Sequence, residues 1–212
     1  MQISSYNSLN EIFFLQFEKY QNEDHLFFNN LNLKKFQTYT WADTNNNILK
    51  LAKFLNEKNI IKGDRVLLVS ENRPEWLIAD LAILLNSGIT VPNYTTYTVN
   101  DFAFTINDCK PSGLIVSSPQ LLKNILLAAR KINYNFNFIV LLNETNEVVA
   151  DNVINFSTII EKKIDIEETK IFFKKINKSL IKYKNSKAPS QFFSIPPCDN
   201  TTPLGVPCVP EV

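Results

Sequence analysis

The sequence predicts an α/β domain of three layers, in which helices cover both faces of a parallel sheet of strand–helix repeats. Four apolar segments have the length of strands: residues 65–70, 89–91, 113–117 and 136–142. Stretches with helical spacing separate them, and such connections are crossovers between parallel strands. Continuous apolar runs are typical of strands whose two faces are both covered. Three strand–helix–strand repeats therefore favour a single parallel sheet.

The N-terminal part predicts a helix, a hairpin and a second helix, in that order. Residues 11–20 have the pattern of a short amphipathic helix. The short apolar runs 25–30 and 36–39 favour a β-hairpin. Thr40 and Asp43 form a capping-box pattern that begins the next helix. The apolar face of that helix has residues at helical spacing: Ile48, Leu51, Ala52 and Leu55.

Turn and cap residues separate the later strands from their helices. Gly63 can adopt the left-handed conformation that ends a helix before the first parallel strand. Pro74 suits the first turn of the following helix, where its missing N–H costs nothing, and Gly88 ends that helix. The two later helices begin at pairs of cap residues: Thr98 with Asp101, and Ser118 with Pro119.

The strand–helix pattern loosens past Asn143. The sequence as a whole predicts three segments of chain. Residues 1–160 are the patterned domain, and residues 161–187 are a Lys-rich helix or linker. Its lysines favour a solvated helix over a membrane-surface helix. Six of the ten prolines lie in residues 188–212, which excludes a helix or central strand and predicts a disordered tail. The predicted Lys-rich helix has one apolar side: Phe172, Ile176 and Leu180.

Composition excludes several classes of protein. The formal net charge is +1, so no global field attracts nucleic acid or an anionic membrane. Three cysteines are too few and too irregularly spaced for a disulfide framework or a zinc site, which favours a reducing, cytoplasmic location. The N-terminus lacks the pattern of a signal peptide. No apolar run approaches the roughly 18 residues that span a bilayer.

Candidate functional residues are few. The sequence has four glycines and contains neither GxGxxG nor GxxxxGK[ST], so it has no Gly-rich phosphate cradle. His25 is expected at a strand edge, and Cys109 is expected to be a buried or half-buried thiol. Residues 71–75 (ENRPE) are the best candidate, because they follow a strand and open a helix, where parallel sheets bind ligands and anions. Arg73 could face a phosphate there; the alternative is that these residues cap the helix and pair with neighbours.

The block from residue 62 to residue 98 carries the most specific words of the sequence: GDRV, ENRPEW and VPNYTT. Together with YTW at 39–41 and LIVSS at 114–118, it resembles the adenylate-forming acyl-CoA ligases, especially bacterial long-chain fatty acid–CoA ligases. The resemblance covers about residues 9–142 and implies the first part of a large N-terminal domain. In that family ATP and a carboxylate form an acyl-adenylate, and the CoA thiol then displaces AMP. The resemblance thus implies ATP, Mg²⁺, CoA and a fatty acid as ligands of intact relatives.

The reacting motifs of that family have no counterpart in this sequence, so no catalytic, cofactor-binding or metal residue is assigned. The phosphate loop YTSGTTGxPKG, the Tyr-Gly-x-Thr-Glu motif, the ribose-binding aspartate, the hinge and the C-terminal lysine are absent. Without phosphate ligands or a Mg²⁺ site, adenylation has no electrostatic stabilisation. We therefore expect a truncated ligase that is inactive alone. The alternatives are a small non-catalytic nucleotide- or CoA-binding α/β module and, more weakly, a flavodoxin-like signalling domain.

The Pro-rich tail has an explanation in the genetic code. On the opposite DNA strand, offset by one base, the first two bases of each codon fix the first two bases of a partner codon. Taken backwards from Val212 to Pro196, the seventeen codons are compatible with TSGTQGTPKGVVLSHGG. That string resembles the missing phosphate loop and the residues that follow it. We expect the tail to be the antisense of an inverted segment, with no chemical role for Cys198 or Cys208, rather than a natural polyproline ligand.

Overall fold

The computed structural model describes residues 8–30, 35–143 and 152–173. Residues 166–173 are helical at the end of the described chain. The preceding elements are, in order, α1 (Leu9–Tyr20), β1 (Asp24–Asn30), β2 (Lys35–Thr40), α2 (Trp41–Glu57), β3 (Arg65–Val69), α3 (Pro74–Leu85), β4 (Ile89–Asn93), α4 (Val99–Cys109), β5 (Gly113–Val116), α5 (Pro119–Lys131), β6 (Phe138–Leu141), β7 (Val153–Asn155) and α6 (Phe156–Glu161).

Five strands form one parallel sheet in the order β4-β3-β5-β6-β7. The predicted α/β class and the parallel sheet are therefore confirmed. The four predicted strands lie at or within a few residues of their expected bounds. The fifth strand, β7, was not predicted, and it pairs with β6 where the Ile139 amide donates to the Asn152 carbonyl oxygen at 3.0 Å.

Apolar side chains fill both spaces between the sheet and the helices. Along β3 the side chains alternate, so that Val66 and Leu68 join one core and Leu67 and Val69 join the other. The first core packs the sheet against α1, α2, α3 and α6, and the second packs it against α4 and α5. This division is the predicted three-layer architecture, and it explains why the strands are apolar along their whole length.

Local sequence rules account for the ends of these elements. Thr40 with Asp43 and Thr98 with Asp101 form complete capping boxes at α2 and α4, as predicted. The Ser118 hydroxyl accepts from the Leu121 amide at α5. Gly63 has a φ of +89°, which is the left-handed conformation expected of it.

β4 is an edge strand, because β3 alone pairs with it among the described residues. The Ile89 amide donates to the Asp64 carbonyl oxygen at 2.7 Å, which fixes the side of β4 that faces β3. Pro92 lies within β4, and proline is tolerated in a sheet mainly at an edge.

The predicted hairpin forms an antiparallel pair of its own, β1 and β2, outside the parallel sheet. His25 lies in β1, and its ring stacks on the Trp41 indole with centroids 3.7 Å apart. The Phe28 and Tyr39 rings also stack, with centroids 5.3 Å apart. The first stack holds the hairpin against the start of α2, and the second joins the two strands of the hairpin to each other.

The Lys-rich helix or linker predicted to begin at residue 161 differs from the structure within the described residues. Residues 156–161 already form α6, Lys162 is extended, and a separate helix occupies 166–173. Phe172 is 44% exposed, whereas Phe173 is 1% exposed and belongs to the first core. The apolar side was therefore misassigned by one residue at this point. The predicted boundaries at 160/161 and 187/188 stay predictions, and the tail at 188–212 lies outside the described residues.

Candidate functional site

The order of the strands defines one place where the sheet opens. From β3 the chain crosses through α3 to β4 on one side, whereas from β5 it crosses through α5 to β6 on the other. In open parallel sheets, ligands bind at the carboxyl ends of two strands whose connections diverge in this way. Residues 70–73 follow β3 at this crevice, and Ser117 and Ser118 follow β5.

Arg73 lies between the end of β3 and the start of α3, where the sequence suggested a phosphate contact, but its contacts are with the protein. Its Nε lies 2.7 Å from Glu75 Oε2, and its Nη1 donates to Asn143 Oδ1 at 2.7 Å. Glu75 is 7% exposed, so the ion pair is largely enclosed. Glu71 and Asn72 are exposed beside it. The geometry supports the interpretation of Arg73 as a pairing residue rather than a free phosphate ligand.

The same interpretation also predicted that residues 71–75 cap the helix, and the structure differs on this point. Arg73 occupies the N-cap position of α3 with an extended backbone, and no side chain of the described residues caps that helix. Pro74 occupies the first turn, as predicted, so one of the amides that would need a cap is missing from the start.

Tyr39 extends the cluster to the hairpin. Its hydroxyl donates to Glu75 Oε1 at 3.4 Å, so the Glu75 carboxylate accepts hydrogen bonds from both Tyr39 in β2 and Arg73. Burial, together with the negative charge of Glu75, raises the pKa of Tyr39 to about 12. A phenol with that pKa holds its proton at neutral pH, so Tyr39 acts as a hydrogen-bond donor and not as a base.

Ser117 is a residue of the crevice that the sequence did not single out. Its amide donates to the Val69 carbonyl oxygen, and its carbonyl oxygen accepts from the Asn143 amide, both at 2.9 Å. Its side chain is fully buried, and its hydroxyl has no hydrogen-bond partner among the described residues. The backbone of Ser117 therefore links the ends of β3, β5 and β6, whereas its hydroxyl makes no hydrogen bond to any described residue.

The two other candidate residues lie away from the crevice. Cys109 ends α4, its carbonyl oxygen accepts from Arg65 Nε at 2.7 Å, and burial raises the pKa of its thiol. His25 Nδ1 lies 3.1 Å from Thr44 Oγ1, and burial lowers the pKa of its ring. A raised thiol pKa opposes formation of the reactive thiolate. The contacts of Cys109 and His25 therefore indicate structural rather than catalytic roles.

Within the described ranges, no three His, Cys, Asp or Glu side chains are grouped as a metal site requires. None of the helices in the same part of the chain is long and apolar enough to cross a bilayer.

These features define an α/β protein with a parallel sheet that opens at a topological switch point, a class that includes many nucleotide-binding proteins. The family model for the AMP-binding enzymes matches residues 13–173. The chain therefore belongs to the AMP-binding enzyme family, as the ligase-like words of its sequence had suggested.

The curated relatives are fatty acid–CoA ligases. A long-chain-fatty-acid–CoA ligase of Mycobacterium tuberculosis is 36% identical over 69 residues, which is 32% of this chain and 12% of that protein. A long-chain-fatty-acid–CoA ligase of Bacillus subtilis is 33% identical over 76 residues, which is 36% of this chain and 14% of that protein. The matched part is thus a small share of each relative's own length.

Solved structures share the fold over a larger part of the chain. A luciferase-like enzyme from the nonluminescent mealworm Zophobas morio superposes with a TM-score of 0.66 at 18% identity, over 79% of this chain and 38% of that one. The anthranilate CoA ligase AuaEII, solved with anthranoyl-AMP, superposes with a TM-score of 0.61 at 18% identity, over 76% of this chain and 28% of that one. At these identities the likeness concerns the fold.

Proposed function

We propose that this chain corresponds to the first part of an ATP-dependent long-chain fatty acid–CoA ligase. Such an enzyme forms an acyl-adenylate and then transfers the acyl group to the thiol of CoA. The observation that carries the substrate class is the identity to long-chain-fatty-acid–CoA ligases of Mycobacterium tuberculosis and Bacillus subtilis. The block GDRV, ENRPEW and VPNYTT supports the same family.

We further propose that the 212 residues do not form an acyl-adenylate by themselves. ATP and Mg²⁺ need phosphate ligands and oxygen donors, and the described residues do not fit these groups. Arg73 pairs with Glu75 and Asn143, and the described chain has no cluster of three potential metal ligands. The role of this part is then to position the sheet and its crevice for the catalytic loop of a complete enzyme.

A direct test is the exchange of labelled pyrophosphate into ATP in the presence of palmitate and Mg²⁺. The purified chain of 212 residues is expected to give no exchange above a blank without protein. The Bacillus subtilis relative serves as a positive control for the reagents. Exchange that depends on both the chain and palmitate would falsify the proposal of inactivity.

Ligand binding without catalysis is the competing function, and one observation favours it. The buried Ser117 hydroxyl at the crevice has no hydrogen-bond partner in the part of the chain that the structure describes, so a polar ligand group could use it. Thermal unfolding with AMP or CoA separates the two functions. A rise in Tm that Ser117→Ala abolishes would support the binding module, whereas an unchanged Tm with both ligands supports an inactive part of a ligase.

A further inference from the structure

The helices α4 and α5 lie side by side on one face of the sheet, and their outward faces are continuous. Both helices contribute buried side chains to the second core. On the outer side, the Lys131 ammonium of α5 donates to Asn100 Oδ1 of α4 at 2.8 Å, and both residues are exposed. We call these two outward faces together the α4–α5 surface.

One large apolar side chain stands near the middle of each outward face. Phe104 is 75% exposed on α4, and Leu127 is 52% exposed on α5. Phe102 and Ile106, two residues to either side of Phe104, are fully buried, and so is Ile125, two residues before Leu127. Residues two apart on a helix do not share a face, so neither exposed side chain can turn into the core unless its whole helix rotates.

The exposed side of α4 is acidic. Asp101 and Asp108 lie about one turn before and one turn after Phe104, at spacings of three and four residues that share one helix face. The helix Val99–Cys109 contains no basic residue. Lys110 follows at the C-cap, two positions after Asp108, and residues at that spacing do not face the same side of a helix. Phe104 therefore stands between two carboxylates.

The exposed side of α5 carries the opposite charge. Lys123 lies four residues before Leu127, and Arg130 and Lys131 lie three and four residues after it, all of them exposed. The helix contains no acidic residue. Each apolar side chain is thus flanked at both ends by charges of one sign, which are acidic on α4 and basic on α5. On both helices the flanking charges are seven residues apart, or about 10 Å along the axis.

Such a surface is complementary to itself. A two-fold axis that places α4 of one copy against α5 of the other brings acids to bases twice, and it sets Phe104 on Leu127 twice. The equal spacing of the flanking charges allows both ends of each helix pair to be matched together. A partner whose charge has one sign throughout would instead be repelled by one of the two helices, which disfavours nucleic acid or an anionic bilayer.

We propose that the chain forms a dimer through the α4–α5 surface, with a second copy of itself as the partner. Two helices of 11 and 13 residues, each about 10 Å across, cover a face of roughly 20 Å by 20 Å. A face of this size buries less than the roughly 800 Å² per partner of a standard interface, so the dimer is weak and reversible. The dimer goes beyond the proposed function and does not depend on it.

Sedimentation equilibrium between about 10 µM and about 500 µM tests the dimer. The unmodified chain is expected to shift from monomer to dimer over this range, without larger species. Phe104→Ser and Leu127→Ser are each expected to weaken association at least about tenfold, because the two-fold axis repeats every change. Phe36→Ser is the matched control: Phe36 is 76% exposed but lies on the hairpin, so its replacement should leave association unchanged. Since all three side chains are exposed, circular dichroism and Tm at about 5 µM should not change.

Charge reversal tests which helices meet. Asp108→Lys, and the double variant Arg130→Glu with Lys131→Glu, are each expected to self-associate at least about tenfold more weakly at low salt. A mixture of the two is expected to regain about the affinity of the unmodified chain, because the changed α4 of one then meets the changed α5 of the other. Asp101 is kept because its carboxylate accepts from the Thr98 amide and caps α4.

Each of the following results overturns the proposal. A chain that stays monomeric up to about 500 µM lacks this interface. Association that Phe104→Ser or Leu127→Ser leaves unchanged, or that Phe36→Ser abolishes, uses another surface. Species larger than a dimer would mean that the contact does not close about a two-fold axis. A mixture no tighter than its separate components would mean that α4 does not face α5. None of these results bears on pyrophosphate exchange, so the proposed function is tested separately.

Discussion

The parallel sheet and the N-terminal hairpin are both joined to α2 and α3, but by different means. The strands β3, β5 and β6 lie between two apolar layers and are buried on both faces. The hairpin depends on the stack of His25 on Trp41 and on the hydrogen bond from Tyr39 to Glu75. A closely packed core unfolds cooperatively, whereas single ring contacts and hydrogen bonds can break one at a time. We therefore expect the sheet to unfold globally and the hairpin to open locally.

The largest effect is expected inside the sheet. A Cβ atom at Gly113 would lie 2.1 Å from Cζ of Phe138, so Gly113→Ala forces the ring out of its place. We expect the free energy of unfolding to fall by about 3 kcal/mol, as measured by urea denaturation. Gly63→Ala is the control, since no atom of the described residues lies within 4 Å of its Cβ position and only its φ of +89° is strained. It should cost about 1 kcal/mol; equal effects of the two changes would contradict this account of the packing.

The second effect concerns the joint between the two regions. Arg73→Ala leaves the Glu75 carboxylate enclosed without its cation, and we expect a loss of about 2 kcal/mol in urea denaturation. The Arg73 side chain is 25% exposed, which keeps the loss below that of a fully buried pair. Arg130→Ala, at an exposed position of α5, is the matched control and should change stability by less than about 0.5 kcal/mol.

The third comparison uses two threonines with the same role. Thr40 caps α2 directly after the hairpin, and Thr98 caps α4 beside the sheet, each in a complete capping box. Replacing either with alanine should cost about 1 kcal/mol. Hydrogen exchange should distinguish them: Thr40→Ala accelerates exchange of the β1 and β2 amides, and Thr98→Ala does not. Acceleration of the hairpin amides in both variants would mean that the hairpin and sheet open together.

The smallest effect is a dependence on alkaline pH. The pKa of Tyr39 is raised in the folded protein to about 12 from an ordinary value of 10.0. The stability provided by the protonated phenol is therefore fully present below pH 10 and is lost as the pH rises towards 12. In Tyr39→Phe the free energy of unfolding should decline less steeply above pH 10 than in the unmodified chain. Parallel curves for the two proteins would exclude this contribution.

The sequence predicted the regular parts of the fold for local reasons. The strands β3, β5 and β6 are continuous apolar runs, and both capping boxes involve residues three apart. The strand β7 was missed because three residues, Val153–Asn155, are too few for a periodic pattern. The apolar side of the helix over 166–173 was misassigned because Phe172 and Phe173 are adjacent, and the local pattern does not show which of the two faces the core.

The crevice was predicted in part. Its position at residues 71–75 followed from the strand–helix junction, and ENRPEW is a local word. The contact between Arg73 and Asn143 joins residues 70 positions apart, so no local pattern contains it. The same holds for Tyr39 and Glu75, which are 36 positions apart. Ser117 gave no clue, because a serine after a strand is common, and its burial depends on the ends of two neighbouring strands.

The hypothesis about the tail has a test that needs no structure. If residues 196–212 are the antisense of a phosphate loop, the reverse complement of their codons encodes TSGT followed by PKG. Sequencing the locus across residues 184–212 provides that answer. Codons whose complement encodes neither word would leave the Pro-rich tail as a natural segment.

The proline in β4 bears on how the protein behaves at high concentration. The amide of Ile89 points towards β3, so by alternation the backbone groups of Thr90 and Pro92 point outward. Pro92 has no N–H, and an incoming strand would therefore find a single outward donor, at Thr90, along the five residues of this edge. The β4 edge of the sheet is thus a poor template for edge-to-edge pairing with a second molecule. Pro92 alone disfavours the growth of ordered aggregates along this edge.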